Sequence, residues 1–461
     1  MRATRADLLF ALPRSVERAL VLDGAEAWKE PLRAAGVELV GDGGCDLVVA
    51  AASEIDVAAR SEAPMLLLEG NVSGGRLRRA GFSGERFLPV PSLDHPSLLL
   101  PLNRARGARY ALTKLLAPPQ RIKRLRNRML ALAIGCGVRP RGTVTLASRA
   151  GAPPLLVAAT SGFGMPEGLG WVLALGRATE RGVFHLFEAG RSLPSWVLKF
   201  SRAQLSEVEA PSDARGLAAA AEVADVPGLH VPRLIGVAEC GGRPFVVETA
   251  AIGAPLVNVL RNPRRHEQNT AQVDAVAGWL VELGSASILA AKAGQSPVDL
   301  EPAARLAPEF GVDFASLVAP LEHLPTMLEH GDVGLEHLIV DRGSFVLIDW
   351  ERAQRHGLPL ADLAFFLAQA LPVMSGELDD ARYGRDRAFV RLFRGESPSS
   401  QTLFRWLAAA REAWALDADA IAPLLSVIWL RLAQVDIRRH FAAAWFSEPG
   451  LGPGWSASRM P

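Results

Sequence analysis

Cysteine is nearly missing from this chain: Cys45, Cys136 and Cys240 are the only three among 461 residues, far apart and without a CxxC pair. That excludes a disulfide-framed secreted scaffold and a cysteine-built zinc site, and it makes a reducing cytoplasm the expected compartment. Long apolar runs are missing too. The best stretch, residues 422–432, is crossed by Arg431 and falls short of the roughly 18 residues of a membrane span. The opening Arg2, Arg5 and Asp7 stand before a short LLFAL, without the longer core and cleavage site of a signal peptide, so no export is expected. Charge of one sign is not in excess, with 50 Lys+Arg against 49 Asp+Glu and a formal charge of +1, so no nucleic-acid partner is expected from global charge. No GxxxxGK[ST] phosphate loop and no GxSxG nucleophile turn occurs. His323, His330 and His337 recur every seven residues, but Pro325 and Gly331 break any helix that would line them up on zinc. Lysine is scarce, five residues in all, which makes a well-placed lysine informative.

What is present is globular: 49% hydrophobic and 21% charged residues, in a length that predicts two or three domains. Residues 1–102 alternate short apolar runs (RALVLD, VELVG, CDLVVAA, PMLLLEG) with amphipathic ones, the rhythm of an open α/β sheet. The first turn, Asp23-Gly24-Ala25-Glu26, has one glycine where a nucleotide-binding turn needs two or three to bring backbone against a ligand. In element order this segment resembles a degenerate Rossmann-like or methyltransferase-type half, so bound S-adenosylmethionine and a purely structural domain are competing expectations. Residues 103–139 read as a linker. It contains a basic amphipathic helix (residues 121–129 and onward) whose Ile122, Leu125, Met129 and Leu132 fall at helical spacing. This stripe is expected to dock the helix on the next domain, with a weak membrane-surface contact as the other reading.

Residues 140–250 turn β-rich: TVTLAS, LLVAAT, WVLALG, VFHLFE and SWVLKF, separated by Gly, Pro and Ser, predict an antiparallel sheet of hairpins. Residues 251–461 are mostly helical, completing an α+β arrangement. Within them lies Glu329-His330-Gly331-Asp332, then two short strands joined by the turn Asp341-Arg342-Gly343-Ser344, then Asp349-Trp350-Glu351. A hairpin returns its outer ends to one place, so Asp332 and Asp349 are expected to meet although seventeen residues apart. Two carboxylates there repel unless a cation or proton sits between them. Metal-dependent phosphoryl transfer needs this pairing, one carboxylate to hold magnesium and another to orient the attacking hydroxyl.

At these residues the chain resembles the aminoglycoside phosphotransferase and choline kinase family of the protein-kinase-like fold, which shows His-Gly-Asp, a metal-binding Asn, and a hairpin ending in Asp-Trp-Glu. Gly357-Leu-Pro-Leu-Ala-Asp362-Leu is similar to a further block of that family. The resemblance implies a bilobal kinase-like domain, Asp332 as catalytic base, Asp349 as principal metal ligand, His330 and Gly331 as shapers of the loop, and Asp362 as its structural tie. His337 falls where the family has its metal-binding Asn. It offers nitrogen where magnesium prefers oxygen, so one-metal use, manganese, or lapsed transfer are all open. The resemblance also implies that Lys199 in Ser195-Trp-Val-Leu-Lys199 holds the α and β phosphates of ATP, with Asp213 its closest positional partner and Glu209 and Glu222 rivals. Gly176 to Gly182 would cover the phosphates, ahead of the glycine-richer 161–168. The backbone from Glu248 to Ala250 would bind adenine. The implied activity is phosphoryl transfer from ATP, with Mg2+ or Mn2+, to a hydroxyl of a small acceptor: a sugar, an aminoglycoside-like compound or an amino alcohol. Acceptor contacts are expected beyond Asp362, such as Asp379, Asp380 and Arg382. A pseudokinase that binds nucleotide or a partner without turnover is the competing expectation.

Overall fold

The computed structural model describes every residue except 1–2, 42–43, 117–120, 139, 177–180, 203–211, 224–229, 263–265, 290–297, 322, 379–384 and 457–461. The chain divides into two compact units, residues 1–211 with 234–250, and residues 212–233 with 251–461.

Among the described residues the first unit is built on one sheet of twelve strands. In chain order these are β1 (Arg18–Val21), β2 (Glu38–Val40), β3 (Leu47–Ala51), β4 (Met65–Glu69), β5 (Ser83–Pro91), β6 (Pro96–Pro101), β7 (Val144–Ser148), β8 (Gly170–Leu175), β9 (Arg181–Phe187), β10 (Trp196–Ser201), β11 (Leu234–Cys240) and β12 (Arg243–Thr249). Strands β2-β1-β3-β4 are parallel neighbours. The apolar runs LVVAA and MLLLE suit them because both faces are covered: Leu47, Val49, Met65 and Leu67 feed one core, Val48, Ala50, Leu66 and Leu68 the other. From β4 onward the pairing is antiparallel, and the order runs β4-β7-β5-β6-β8-β9-β10-β12-β11.

This continuity corrects the boundaries drawn at residues 102 and 139. Strand β7 was predicted to open a separate β lobe, but it inserts between β4 and β5, and β8 pairs with β6. The α/β part and the β-rich part therefore share backbone hydrogen bonds and one core. A second correction falls at LLVAAT, predicted as a strand: Leu155–Ala159 is a helix. A short apolar run does not separate strand from helix, whereas Pro153 and Pro154 immediately ahead of it are a helix-start signal.

The basic helix is present as Arg121–Gly135, but it docks by the opposite face from the one expected. Asn127, Ala131 and Ile134 are buried, while Ile122, Leu125, Met129 and Leu132 face solvent. The cause lies in Asn127, whose Nδ2 donates to the carbonyls of Leu112 and Leu116, each at 3.2 Å. Leu112 lies in a π-helical turn, Ala111–Leu115, and Leu116 caps it, and satisfying these carbonyls fixes which side of the helix turns inward.

The second unit is mainly helical, with His266–Ser287, Ala361–Met374, Ser400–Ala413, Ala418–Leu432 and Arg439–Ser447 its longer or central helices. Phe389, Phe393, Trp429 and Trp445 meet in its core. The apolar stretch around residues 422–432 lies in a core helix, and no single helix among the described residues is long and apolar enough to cross a membrane. Among the described residues five short strands complete the unit: β13 (Ala254–Pro255), β14 (Met327–Glu329), β15 (Leu338–Asp341), β16 (Ser344–Leu347) and β17 (Gln354–Gly357). β15 and β16 form the expected hairpin, edged by β13, and β14 pairs with β17.

Candidate active site

Each half of the site hangs from one of these strand pairs. β14 delivers His330-Gly331-Asp332 into the loop before β15, and β16 delivers Asp349 into the loop before β17. Because β14 pairs with β17 and β15 with β16, the two loops lie side by side. His330 is fully buried; its Nε2 donates to the carbonyl of Ile348 at 3.1 Å, and its Nδ1 accepts from the backbone N–H of Asp332 at 3.2 Å. One imidazole thus ties both loops together. Gly331 turns the chain with φ of 76°, and a Cβ there would come within 2.9 Å of the Arg352 carbonyl.

Asp362 holds the loop from below. Its two carboxylate oxygens accept from the backbone N–H groups of His330 and Gly331, at 2.6 and 3.0 Å. It stands in the first turn of helix Ala361–Met374, which is entered through Leu360 at a left-handed φ of 64°. Such a conformation is uncommon for leucine, and here it sets the helix so that Asp362 points at the loop. Burial, then the charge of Glu329, push the Asp362 carboxyl up to about 8. Glu329 is itself held by Arg431 in two bonds of 2.9 and 3.0 Å and by the N–H of Leu358.

The two sequence-predicted acids come together, with His337 between them. His337 Nδ1 donates to the Asp332 carbonyl at 2.9 Å and lies 3.8 Å from Asp332 Oδ1, while Nε2 lies 3.7 Å from Asp349 Oδ2. With its proton on Nδ1, the imidazole turns a lone pair on Nε2 towards the Asp349 carboxylate. Asp349 takes a left-handed φ of 71°, which aspartate tolerates better than most residues. Asp349 and His337 Nε2 would offer a divalent cation one carboxylate and one imidazole donor, a mixed oxygen and nitrogen set that suits manganese better than magnesium. Among the described residues no cluster of three His, Cys, Asp or Glu side chains is placed to hold a metal by itself.

One participant was invisible in the sequence pattern. Arg438, 106 residues beyond Asp332, donates from Nη2 to Asp332 Oδ1 and lays its guanidinium over the Phe365 ring at 4.6 Å. Asp332 therefore has one oxygen engaged by an arginine. Beside it lies a cavity of about 570 Å³, lined among others by Gly331, Arg352, Phe365, Arg431 and Arg438. Asp379, Asp380 and Arg382, the expected acceptor contacts, lie outside the described residues.

In the first unit, Lys199 on β10 is nearly buried and its Nζ lies 3.1 Å from Glu248 Oε1 on the adjacent β12. The sequence reading looked for a helix partner and gave Glu248 a backbone role; within this unit its side chain is an ion partner of Lys199. In the Glu248 to Ala250 stretch expected to bind adenine, the N–H of Ala250 donates to the Ser195 carbonyl at 3.0 Å. Gly176 and Gly182 do flank the β8–β9 hairpin turn, but Gly182 is required by packing: a Cβ there would fall 2.1 Å from the Phe200 ring. The interior of that turn, and the rival Glu209, lie outside the described residues. In the second unit Asp213 is buried in the first turn of helix Ser212–Glu222, and Glu222 pairs with Arg355.

Residues 175–396 match the sequence pattern of the phosphotransferase enzyme family. No curated protein matches the chain. Among solved structures, the chain is similar to an aminoglycoside phosphotransferase of Streptomyces rimosus at 18% identity, over 60% of this chain and 96% of that one, with a TM-score of 0.33. The same Streptomyces rimosus enzyme in complex with ADP and streptomycin gives 18% and 0.32. An aminoglycoside-3'-phosphotransferase of type VIII gives 24% identity, over 55% of this chain and 97% of that one, with a TM-score of 0.29. The segment matched to that family spans Lys199, the His330-Gly331-Asp332 loop, His337, Asp349 and Asp362, and is similar to the phosphotransferase enzyme family over these residues.

Proposed function

We propose that this chain transfers the terminal phosphoryl group of ATP, with magnesium or manganese, to a hydroxyl of a small acceptor such as a sugar, an aminoglycoside-like compound or an amino alcohol. The observation that carries the reading is the meeting of Asp332, His337 and Asp349 on two loops locked together by His330 and Asp362. Asp349 and His337 Nε2 hold the cation, which when bound neutralises charge on the phosphates. Arg438 fixes one oxygen of Asp332 and leaves the other to accept the proton of the attacking hydroxyl. The acceptor occupies the cavity beside Arg438 and Phe365. Lys199 is assigned to the ATP phosphates on the family resemblance and on its place in the matched segment. A reducing, ATP-containing cytoplasm is the compartment proposed for the reaction, on the scarcity of cysteine in the sequence.

A non-catalytic nucleotide-binding module is the second reading, favoured by two specific observations: imidazole stands at His337, and an arginine already occupies Asp332. An ATP-consumption assay over a panel of small hydroxylated acceptors, with magnesium and with manganese, separates the two. Turnover that drops by about two to four orders of magnitude in Asp332→Asn is the expected result. In His337→Asn, turnover should persist with its metal preference moved towards magnesium. ATP binding by calorimetry with no turnover on any acceptor, unaffected by Asp332→Asn, selects the non-catalytic module.

A further inference from the structure

Between Asp94 and Glu167 the sequence has twelve basic residues and no acidic one. Helix Arg121–Gly135 lies in the middle of this tract and exposes a continuous apolar stripe: Ile122, Leu125, Met129 and Leu132 are 84%, 61%, 59% and 61% exposed. At about 100° per residue these four side chains occupy an arc of roughly 80° on one side of the helix, nearly opposite the docked Asn127, Ala131 and Ile134. On the same projection Arg126 borders the stripe on one flank and Arg128 on the other, with Arg124 one step further round. Where the helix meets segment 109–115, a cavity of about 530 Å³ presents Arg109, Lys114, Arg124 and Arg128 in its lining, and no acidic residue.

These features belong together. Four large apolar side chains on one exposed helical face are unfavourable in water unless something covers them. The rim of that face is basic on both sides, so its cover must offer an apolar layer immediately behind a layer of negative charge. A second copy of the chain would bring one basic rim against another. A nucleic-acid backbone would satisfy the arginines and leave the stripe in water. A leaflet containing anionic phospholipid supplies both layers at the required depth: acyl chains for the stripe and phosphates for the rim and cavity. We propose that helix Arg121–Gly135 is a membrane-surface anchor, lying in the plane of an anionic lipid leaflet with the stripe inserted and the Arg109/Lys114/Arg124/Arg128 cavity receiving a lipid phosphate. The helix is about 22 Å long and does not span the bilayer. Its docked face stays folded against the unit, since Asn127 holds the carbonyls of Leu112 and Leu116 whether or not lipid is present.

The test is cosedimentation of the full-length chain with vesicles of pure phosphatidylcholine and of phosphatidylcholine mixed with phosphatidylserine. Binding is expected only to the mixed vesicles, and is expected to weaken as salt is raised. The double variants Leu125→Asp with Met129→Asp, and Arg124→Glu with Arg128→Glu, change exposed side chains and should fold; each is expected to lower partitioning by roughly tenfold or more. Circular dichroism and thermal melting of both variants verify the fold. Absence of binding to either vesicle, or binding untouched by both variants, overturns the proposal. It is equally overturned if the wild type ignores vesicles but dimerises through the stripe, a dimer lost in the Leu125/Met129 variant. Capture of an oligonucleotide without vesicle binding likewise overturns it.

Discussion

Arg438 changes the meaning of Asp332. A carboxylate in water can turn either oxygen to any donor, whereas one held by a nearly buried guanidinium, itself lying over Phe365, presents a fixed lone pair. Arg438 is therefore a positioning residue. Arg438→Ala is expected to lower kcat by about tenfold to a hundredfold with a smaller change in KM, and Arg438→Lys to recover part of it. Steady-state kinetics on the preferred acceptor reads the split; equal loss in both variants with unchanged kcat and raised KM would mark Arg438 as an acceptor contact instead. Asp332 and Asp349 were legible as a pair because the hairpin between them is local, a turn of Asp341 to Ser344 with four residues on each strand. Arg438 was not, because nothing local links it to residue 332. The same holds for Arg431 and Glu329, which meet across 102 residues.

Among the elements, helix Ser212–Glu222 is placed by a glycine. A Cβ at Gly216 would stand 2.0 Å from the Trp350 carbonyl and 3.0 Å from the Ala353 Cβ, so the helix backbone rests directly on the segment that follows Asp349. Gly216→Ala gains helix propensity, about 1 kcal/mol in an open helix, but here it must push backbone from backbone. A net destabilisation of about 1 to 3 kcal/mol is expected, read by urea denaturation, together with lower activity because Asp349 is displaced. A gain in stability would show that the helix can shift freely. The strand elements were readable where apolar runs lie between turn residues, as in β3, β4, β8, β9 and β10. Leu155–Ala159 was misread because five apolar residues carry no period. The inward face of helix Arg121–Gly135 was misread because an asparagine's hydrogen bonds, rather than its largest apolar side chains, decide its orientation.

For the whole molecule, two desolvated groups bend stability in opposite directions as pH changes. In the first unit His185 is partly buried beside Tyr110, its Nδ1 out of solvent and without a hydrogen-bond partner among the described residues, and desolvation drives it down to about 4. An imidazole lowered on folding gives stability that is complete above its ordinary value near 6.5 and is lost as pH falls towards 4. In the second unit Asp362, raised from 3.8 to about 8, gives the reverse: the folded chain binds the extra proton, so stability declines as pH rises through that window and levels off above it. The two slopes offset each other between about pH 4 and 6.5, so melting temperatures should be nearly level there, fall from about 6.5 to 8 and level off above. His185→Leu is expected to make the decline start near pH 4, and Asp362→Asn to leave a rise up to about 6.5 followed by a plateau, each on a lower overall stability. A variant that keeps the wild-type profile removes that group from the account.

The residues alone determined the chemistry that is local in the chain: an α/β beginning, a β-rich middle and a helical end, the His330-Gly331-Asp332 and Asp349-Trp350-Glu351 loops, and the amphipathic helix at 121. Periodicity, turn residues and hairpin return act over a few residues and so are written in order along the sequence. Tertiary structure decided what depends on distant partners. It merged the first two regions through β7, gave Asp332 an arginine, gave Lys199 a glutamate on the neighbouring strand, and turned Ile122, Leu125, Met129 and Leu132 outward. Each of those outcomes is fixed by which buried polar groups find partners and which backbones can approach, and neither is specified until the chain has packed.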